Sequence, residues 1–154
     1  MLSRLHKVGI WAEYAYNGLE ISNDFEEWVI GLDYTFDFQT YCMVEFYRNG
    51  LGKNDDQVYT LNDWMRYLNG EQKALSRDQC YFFVQHPVTD FMQLGVSAIY
   101  SISDGSVALL PTLNWSPFQN VEIMAYANIL KGNETAVYNP KLGNGGLVRV
   151  RVYF

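Results

Sequence analysis

The chain has 154 residues, 49% hydrophobic, 16% aromatic and 18% charged, which excludes a disordered tail and leaves room for one packed unit. Eleven basic against 17 acidic side chains give a formal charge of −6, so no concentrated basic face exists for a phosphate backbone and nucleic acid is not an expected partner. Cys42 and Cys80 are too few for a disulfide scaffold and lack zinc-site spacing, and they read as free thiols.

No stretch approaches the roughly 18 consecutive apolar residues of a membrane-spanning helix. The opening Met1 to Lys7 is basic but has neither the apolar run nor the small-residue cleavage site of a secretory signal. A removed signal, a longer parent protein and a cytoplasmic protein all fit that start.

Period-two alternation runs almost from end to end and predicts about eight strands. From Lys7 to Tyr16 one parity is Val8, Ile10, Ala12, Tyr14 and Tyr16. From Glu27 to Phe36 it is Trp28, Ile30, Leu32, Tyr34 and Phe36, against Glu27, Val29, Gly31, Asp33 and Thr35. Thr40 to Arg48 and Gln79 to Gln85, the latter ended by His86-Pro87, are apolar on both sides. Leu51 to Arg77 is a long insertion in which Val58, Leu61, Trp64 and Leu68 fall at helical spacing after Asp55-Asp56, a candidate cap. Alternation resumes over Phe91 to Ser101 and Val107 to Trp115, with a tight turn at Asp104-Gly105, and then over Val121 to Leu130 and Gly146 to Phe154. Short turns are expected at one end of the strands and long connections at the other.

Such a meander either buries its apolar face or turns it towards lipid. Aromatic residues on that parity fall near strand ends: Tyr14, Tyr16, Trp28 and Tyr100 at the long-loop end, Tyr34, Phe36, Trp115 and Phe154 at the other. Trp and Tyr favour membrane interfaces, so this banding points to a membrane barrel. The opposite parity collects Lys7, Glu13, Glu27, Asp33, Glu45, Glu122, Arg149 and Arg151, whose charges are costly in hydrocarbon and are expected to face the lumen.

The last nine residues, with Val148, Val150, Val152 and the final Phe154 on one parity, resemble the terminal assembly signal of bacterial outer-membrane β-barrel proteins of the porin-like kind. Residues 86–122 resemble the last hairpins of such barrels, and the first half matches by pattern only. The resemblance implies an all-β, antiparallel up-and-down transmembrane barrel of about eight strands, closed on itself or forming the C-terminal part of a larger barrel. It implies a passive pore in the outer membrane of a Gram-negative bacterium, with residues 51–77 as a long extracellular loop. Outer-membrane lipid, the barrel-assembly machinery and small ions or solutes are the implied partners.

A closed structural or adhesive barrel is one alternative. A soluble lipocalin-like ligand carrier is another, kept by the weak G-x-W match at Gly9-Ile10-Trp11. No enzyme is expected, since His6 and His86 show no evident Ser or carboxylate partner, and nothing points to a catalytic residue, cofactor or metal.

Overall fold

A computed structural model describes residues 8–18, 24–54 and 59–154. Lys7, His6 and the expected cap Asp55-Asp56 with Val58 lie outside the described residues.

Eight strands follow one another: β1 (Val8–Asn17), β2 (Phe25–Thr35), β3 (Tyr41–Asn49), β4 (Asp78–Thr89), β5 (Met92–Ser101), β6 (Val107–Phe118), β7 (Val121–Lys131) and β8 (Gly145–Val152). Each pairs antiparallel with its predecessor, giving one up-and-down sheet in the order β1 to β8. The sheet is open, because β1 pairs only with β2 and β8 only with β7. One α-helix, α1 (Leu61–Leu68), and a 3-10 turn at Pro140–Leu142 sit in the two longest connections.

Three of the connections are short, at residues 36–40, Asp90-Phe91 and Gln119-Asn120, and all lie at one end. The opposite end carries residues 50–77, 102–106 and 132–144. Two strands outrun their sequence limits. β4 continues past His86-Pro87 to Thr89, and β6 past Trp115 through Pro117 to Phe118. In both, the pairing register shifts beside the proline, between Pro87 and Thr89 and between Trp115 and Phe118. Proline cannot donate to a ladder, and a bulge absorbs it without ending the strand.

The helix forms where expected, but its cap is Thr60. The Thr60 hydroxyl accepts from the Asp63 amide, and the Asp63 carboxylate accepts from the Thr60 amide at 2.6 Å, a reciprocal capping box. Lys53 reaches the same carboxylate at 2.5 Å, tying α1 to the start of its own connection. Burial alone would raise the Asp63 carboxyl; Lys53 and Thr60 outweigh it and hold it below the usual range.

Neither face of the sheet carries a conventional core. Among the described residues the buried hydrophobic side chains are Ala74, Leu75, Ala108, Ala136 and Val137, four of them in the long connections. The fully buried polar residues Asn49, Ser76, Ser101 and Ser106 lie at the same end. Thr60→Ala removes one half of the capping box, at about 1 kcal/mol. Amide exchange within α1 should speed up about five-fold while the strands keep their protection, which hydrogen exchange with mass spectrometry would read.

Candidate functional site

The pairing register fixes which residues share a face. One row runs Trp11, Gly31, Glu45, Tyr81, Ile99, Ala108, Leu130 across seven strands, and the row beside it begins Glu13, Val29, Tyr47, Gln79, Ser101. Side chains alternate along a strand, so this face holds Glu13, Glu27, Asp33, Glu45, Glu122, Arg149 and Arg151 together. Tyr14, Trp28, Tyr34, Tyr100 and Trp115 fall on the other face with Tyr16, and with Val148, Val150 and Val152 of β8. Phe36 and Phe154 lie just beyond their strands.

The charged face is assembled by contacts between strands. Gly31 lies under the Trp11 indole, and a Cβ there would stand 2.1 Å from the ring. The space lets Trp11 lie flat across β2 and donate its Nε1–H to Glu45 at 3.1 Å. The Gly9 amide donates to Asp33 at 3.1 Å. At the far edge, Glu122 accepts from the Tyr153 hydroxyl at 2.9 Å and pairs with Arg151 at 3.5 Å.

Glu27 is the most enclosed of the carboxylates, at 5% exposure. It accepts from the Tyr47 hydroxyl at 2.5 Å and from Asn17 Nδ2 at 3.5 Å, and Lys73 Nζ, from the long connection, stands at 3.0 Å. Nearby, Asn49 donates to the Ala74 carbonyl at 2.6 Å and accepts from the Leu51 amide. Residues 50–54 and 59–77 are therefore fastened over the charged face of the sheet.

A second joint gathers three connections on Asp104. Its carboxylate accepts from the Tyr59 hydroxyl at 2.9 Å, the Ser106 amide and hydroxyl at 3.0 and 2.6 Å, and the Val137 amide at 2.8 Å. Gly105, at φ +70°, makes the turn that brings Ser106 back to it. Burial would raise the Asp104 carboxyl; these donors prevail and hold it below its usual range. Burial pushes the Tyr59 hydroxyl up, helped by the Asp104 charge, and pushes Tyr138 up to about 12.

Between these joints lies a cleft of about 340 Å³, bounded by Trp64 and Tyr67 of α1, Lys73, Tyr138, and Gln79, Ile99 and Leu130 of the sheet. Trp64 and Tyr67 meet edge to face with centroids 6.3 Å apart.

The opposite, mostly aliphatic face has no such cover among the described residues, and its Glu26, Arg48, Asp78 and Lys131 all lie at the long-loop ends of their strands. Ile10 is 77% exposed and Val148 71%, with Tyr14, Ile30, Leu32, Phe82, Val84 and Val150 also exposed. At the short-turn end, Tyr34 meets Phe36 edge to face with centroids 4.7 Å apart, and Phe36 stacks on Phe38 at 5.1 Å. At the other end Trp28 packs on Phe46 at 5.1 Å, and the Tyr14 and Tyr16 hydroxyls donate to Glu26 and Asp24. His86, which no sequence pattern partnered, shares a 2.7 Å hydrogen bond with Thr40, again at the short-turn end. Cys42 and Cys80 are both free, four rungs apart on neighbouring strands.

Lys73, Tyr47 and Asn49 carry no role in the sequence reading, and Asp104 appears there only as part of a turn, because alternation says nothing of contacts between distant segments. Comparison with known protein families, curated proteins and solved structures returned no match.

The Asp104 joint has a definite pH dependence. A carboxyl held below its ordinary value of 3.8 adds stability at pH values above that figure and loses it as pH falls through the lower folded value. Protection of the Val137 and Ser106 amides against hydrogen exchange should therefore collapse only below pH 3.8. Asp104→Asn should lower the same protection at neutral pH.

Proposed function

We propose that this chain forms the wall of a water-filled, porin-like pore in the outer membrane of a Gram-negative bacterium, with its charged face towards the lumen and its mostly aliphatic face against lipid. The observation that carries this reading is the one-sided cover. The long connections and their helix are fastened over the charged face, and the aliphatic face, rimmed by aromatic rings at both ends, is left bare. A soluble lipocalin-like barrel would need one face packed as a core, and five small buried hydrophobic residues do not supply one. Lipid removes the difficulty, because it solvates the bare face and leaves the strands to satisfy their own peptide groups.

The bulk carried on the charged face favours a pore wall over a plugged structural barrel. An eight-stranded barrel encloses only enough space for its own side chains. A helix with side chains is about 10–12 Å across, and here α1 lies above inward-facing Gln79, Ile99 and Leu130 with a cleft beneath it. A wall within a wider barrel leaves room for this layer. On this reading Val148, Val150, Val152 and Phe154, which resemble the assembly signal of such barrels, are what the assembly machinery would read, and small ions or solutes are the cargo.

Two measurements test the reading. Val150→Arg should damage membrane insertion far more than Arg149→Val, because a charge on the lipid face near the midplane costs about 2–4 kcal/mol. Equal folding yields into lipid vesicles would mean the faces are reversed. In a planar bilayer under a salt gradient, the reversal potential should show weak cation preference, since Lys73 neutralises Glu27 and Arg151 neutralises Glu122, leaving Glu13, Asp33 and Glu45 against Arg149. Clear anion preference would contradict the lumen assignment.

A further inference from the structure

The cleft beneath α1 is walled by side chains that other contacts already hold in place. Trp64 and Tyr67 line it from the helix, Ile99 of β5 and Leu130 of β7 from the sheet, and Leu75 and Tyr138 from the two long connections. Leu75 is 2% exposed, and its carbonyl accepts from the Lys53 amide at 3.0 Å. Lys53 in turn holds α1 through Asp63. Beside Tyr138 the Val137 amide is fixed on Asp104, and the Tyr138 amide donates to the Ser106 hydroxyl oxygen at 3.2 Å. A ligand entering this space would not have to order its walls, which removes a main cost of binding.

Size, charge and polar groups narrow what fits. A cavity of about 150 Å³ lined by Leu, Ile and Phe holds benzene. At about 340 Å³ the cleft takes one such ring with a substituent of a few atoms. Lys73 is the charged residue on its lining, and it stands 3.0 Å from Glu27. An anion placed on Lys73 would also meet that carboxylate, and a cation would find the carboxylate already taken, so an uncharged ligand fits best. The remaining polar lining is Gln79 with the Tyr67 and Tyr138 hydroxyls. Gln79 donates to the Tyr138 oxygen, and among the described residues none accepts the Tyr138 proton. Burial pushes the Tyr138 hydroxyl up to about 12, so it stays protonated at neutral pH and is available as a donor.

We propose that the cleft binds a small, uncharged aromatic molecule bearing one hydrogen-bond acceptor, with its ring against Trp64, Ile99 and Leu130 and its acceptor on the Tyr138 hydroxyl. Aromatic walls favour a ring, which packs on them offset or edge to face, as Trp64 and Tyr67 already do on each other. A flexible aliphatic chain of equal size would lose more freedom on entry. A sugar would bury several hydroxyls against Leu75, Ile99, Leu130 and Val137, whose side chains offer them no partner. The inference stands on the cleft itself; on the pore reading the cleft is a resting place for a solute on the lumen side.

The test uses the full chain, in amphipol or in plain buffer as its solubility dictates, and fluorine NMR of added probes, with protein-free amphipol as the blank. Para-fluoroacetophenone, uncharged and carrying one acceptor, should show a saturable shift. Para-fluorobenzoate, para-fluorobenzylammonium and a fluorinated glucose should bind about ten-fold more weakly or worse. Tyr138→Phe keeps the ring and should weaken para-fluoroacetophenone about five-fold, the loss of one hydrogen bond, while para-fluorotoluene, which has no acceptor, binds the variant as it binds the parent. Leu130→Trp fills the cleft and should abolish binding of both; if that chain folds poorly, the Tyr138→Phe comparison decides alone. Absence of saturable binding would overturn the inference. So would a charged probe or the sugar binding as well as para-fluoroacetophenone, or Tyr138→Phe weakening both aromatic probes alike. Because the readout is the same with and without amphipol, solubility in plain buffer would count against the membrane reading and leave this one standing.

Discussion

Everything in this sheet follows from alternation along an antiparallel ladder that packs against nothing on one side. Each strand sends successive side chains to opposite faces, so eight strands in register sort the chain into two populations with no third place to put either. One population is Val, Ile, Leu and ring residues, and the other mixes carboxylates, bases, amides and a few large rings. In water the first would need a partner layer. The structure offers it none: the helix and the long connections are committed to the other face.

With so little apolar burial, the long-loop end is held by polar joints. Glu27 and Asp104 each gather several donors from different segments, and Asn49 and Ser106 are fully enclosed with their hydrogen bonds made. Hydrogen bonds to a charged group contribute about 1.5–3 kcal/mol each, more than neutral ones. A carboxylate that serves three connections thus does work that a cluster of leucines does elsewhere, and it does so specifically: only a segment bringing a donor at the correct height is held. This accounts for well-fixed connections with almost no hydrophobic interior.

The strands were legible because alternation repeats, and a period of two over nine to eleven residues is hard to imitate. All eight appeared within a few residues of their expected positions, and the division of Glu13, Asp33 and Arg149 from Tyr14, Trp28 and Val150 follows from parity alone. The prolines misled. Pro87 and Pro117 read as stops, but local bulges keep the strands going, and a bulge depends on the partner strand as much as on the sequence carrying it. The helix was visible in its apolar spacing and its cap was not, because Thr60 becomes a cap only with Asp63 folded back on it. The joints at Glu27 and Asp104 were invisible, since Lys73 and Val137 lie 46 and 33 residues from the carboxylates they meet, a distance no local pattern spans.

On the membrane reading proposed above, the consequence of the bare face is that folding and membrane entry are one event. A soluble domain gains its stability from burial inside itself, so a change on its surface is usually mild. On that reading the exposed residues Ile10, Val148 and Val150 are the ones whose transfer out of water drives assembly, and the enclosed polar residues order the connections. Under the same proposal, substitutions on the mostly aliphatic face act on the transfer of the sheet into lipid, and substitutions at Glu27 or Asp104 act on how the connections lie over the charged face. The two classes separate experimentally because they draw on different terms, hydrophobic transfer in one case and charge-assisted hydrogen bonding in the other.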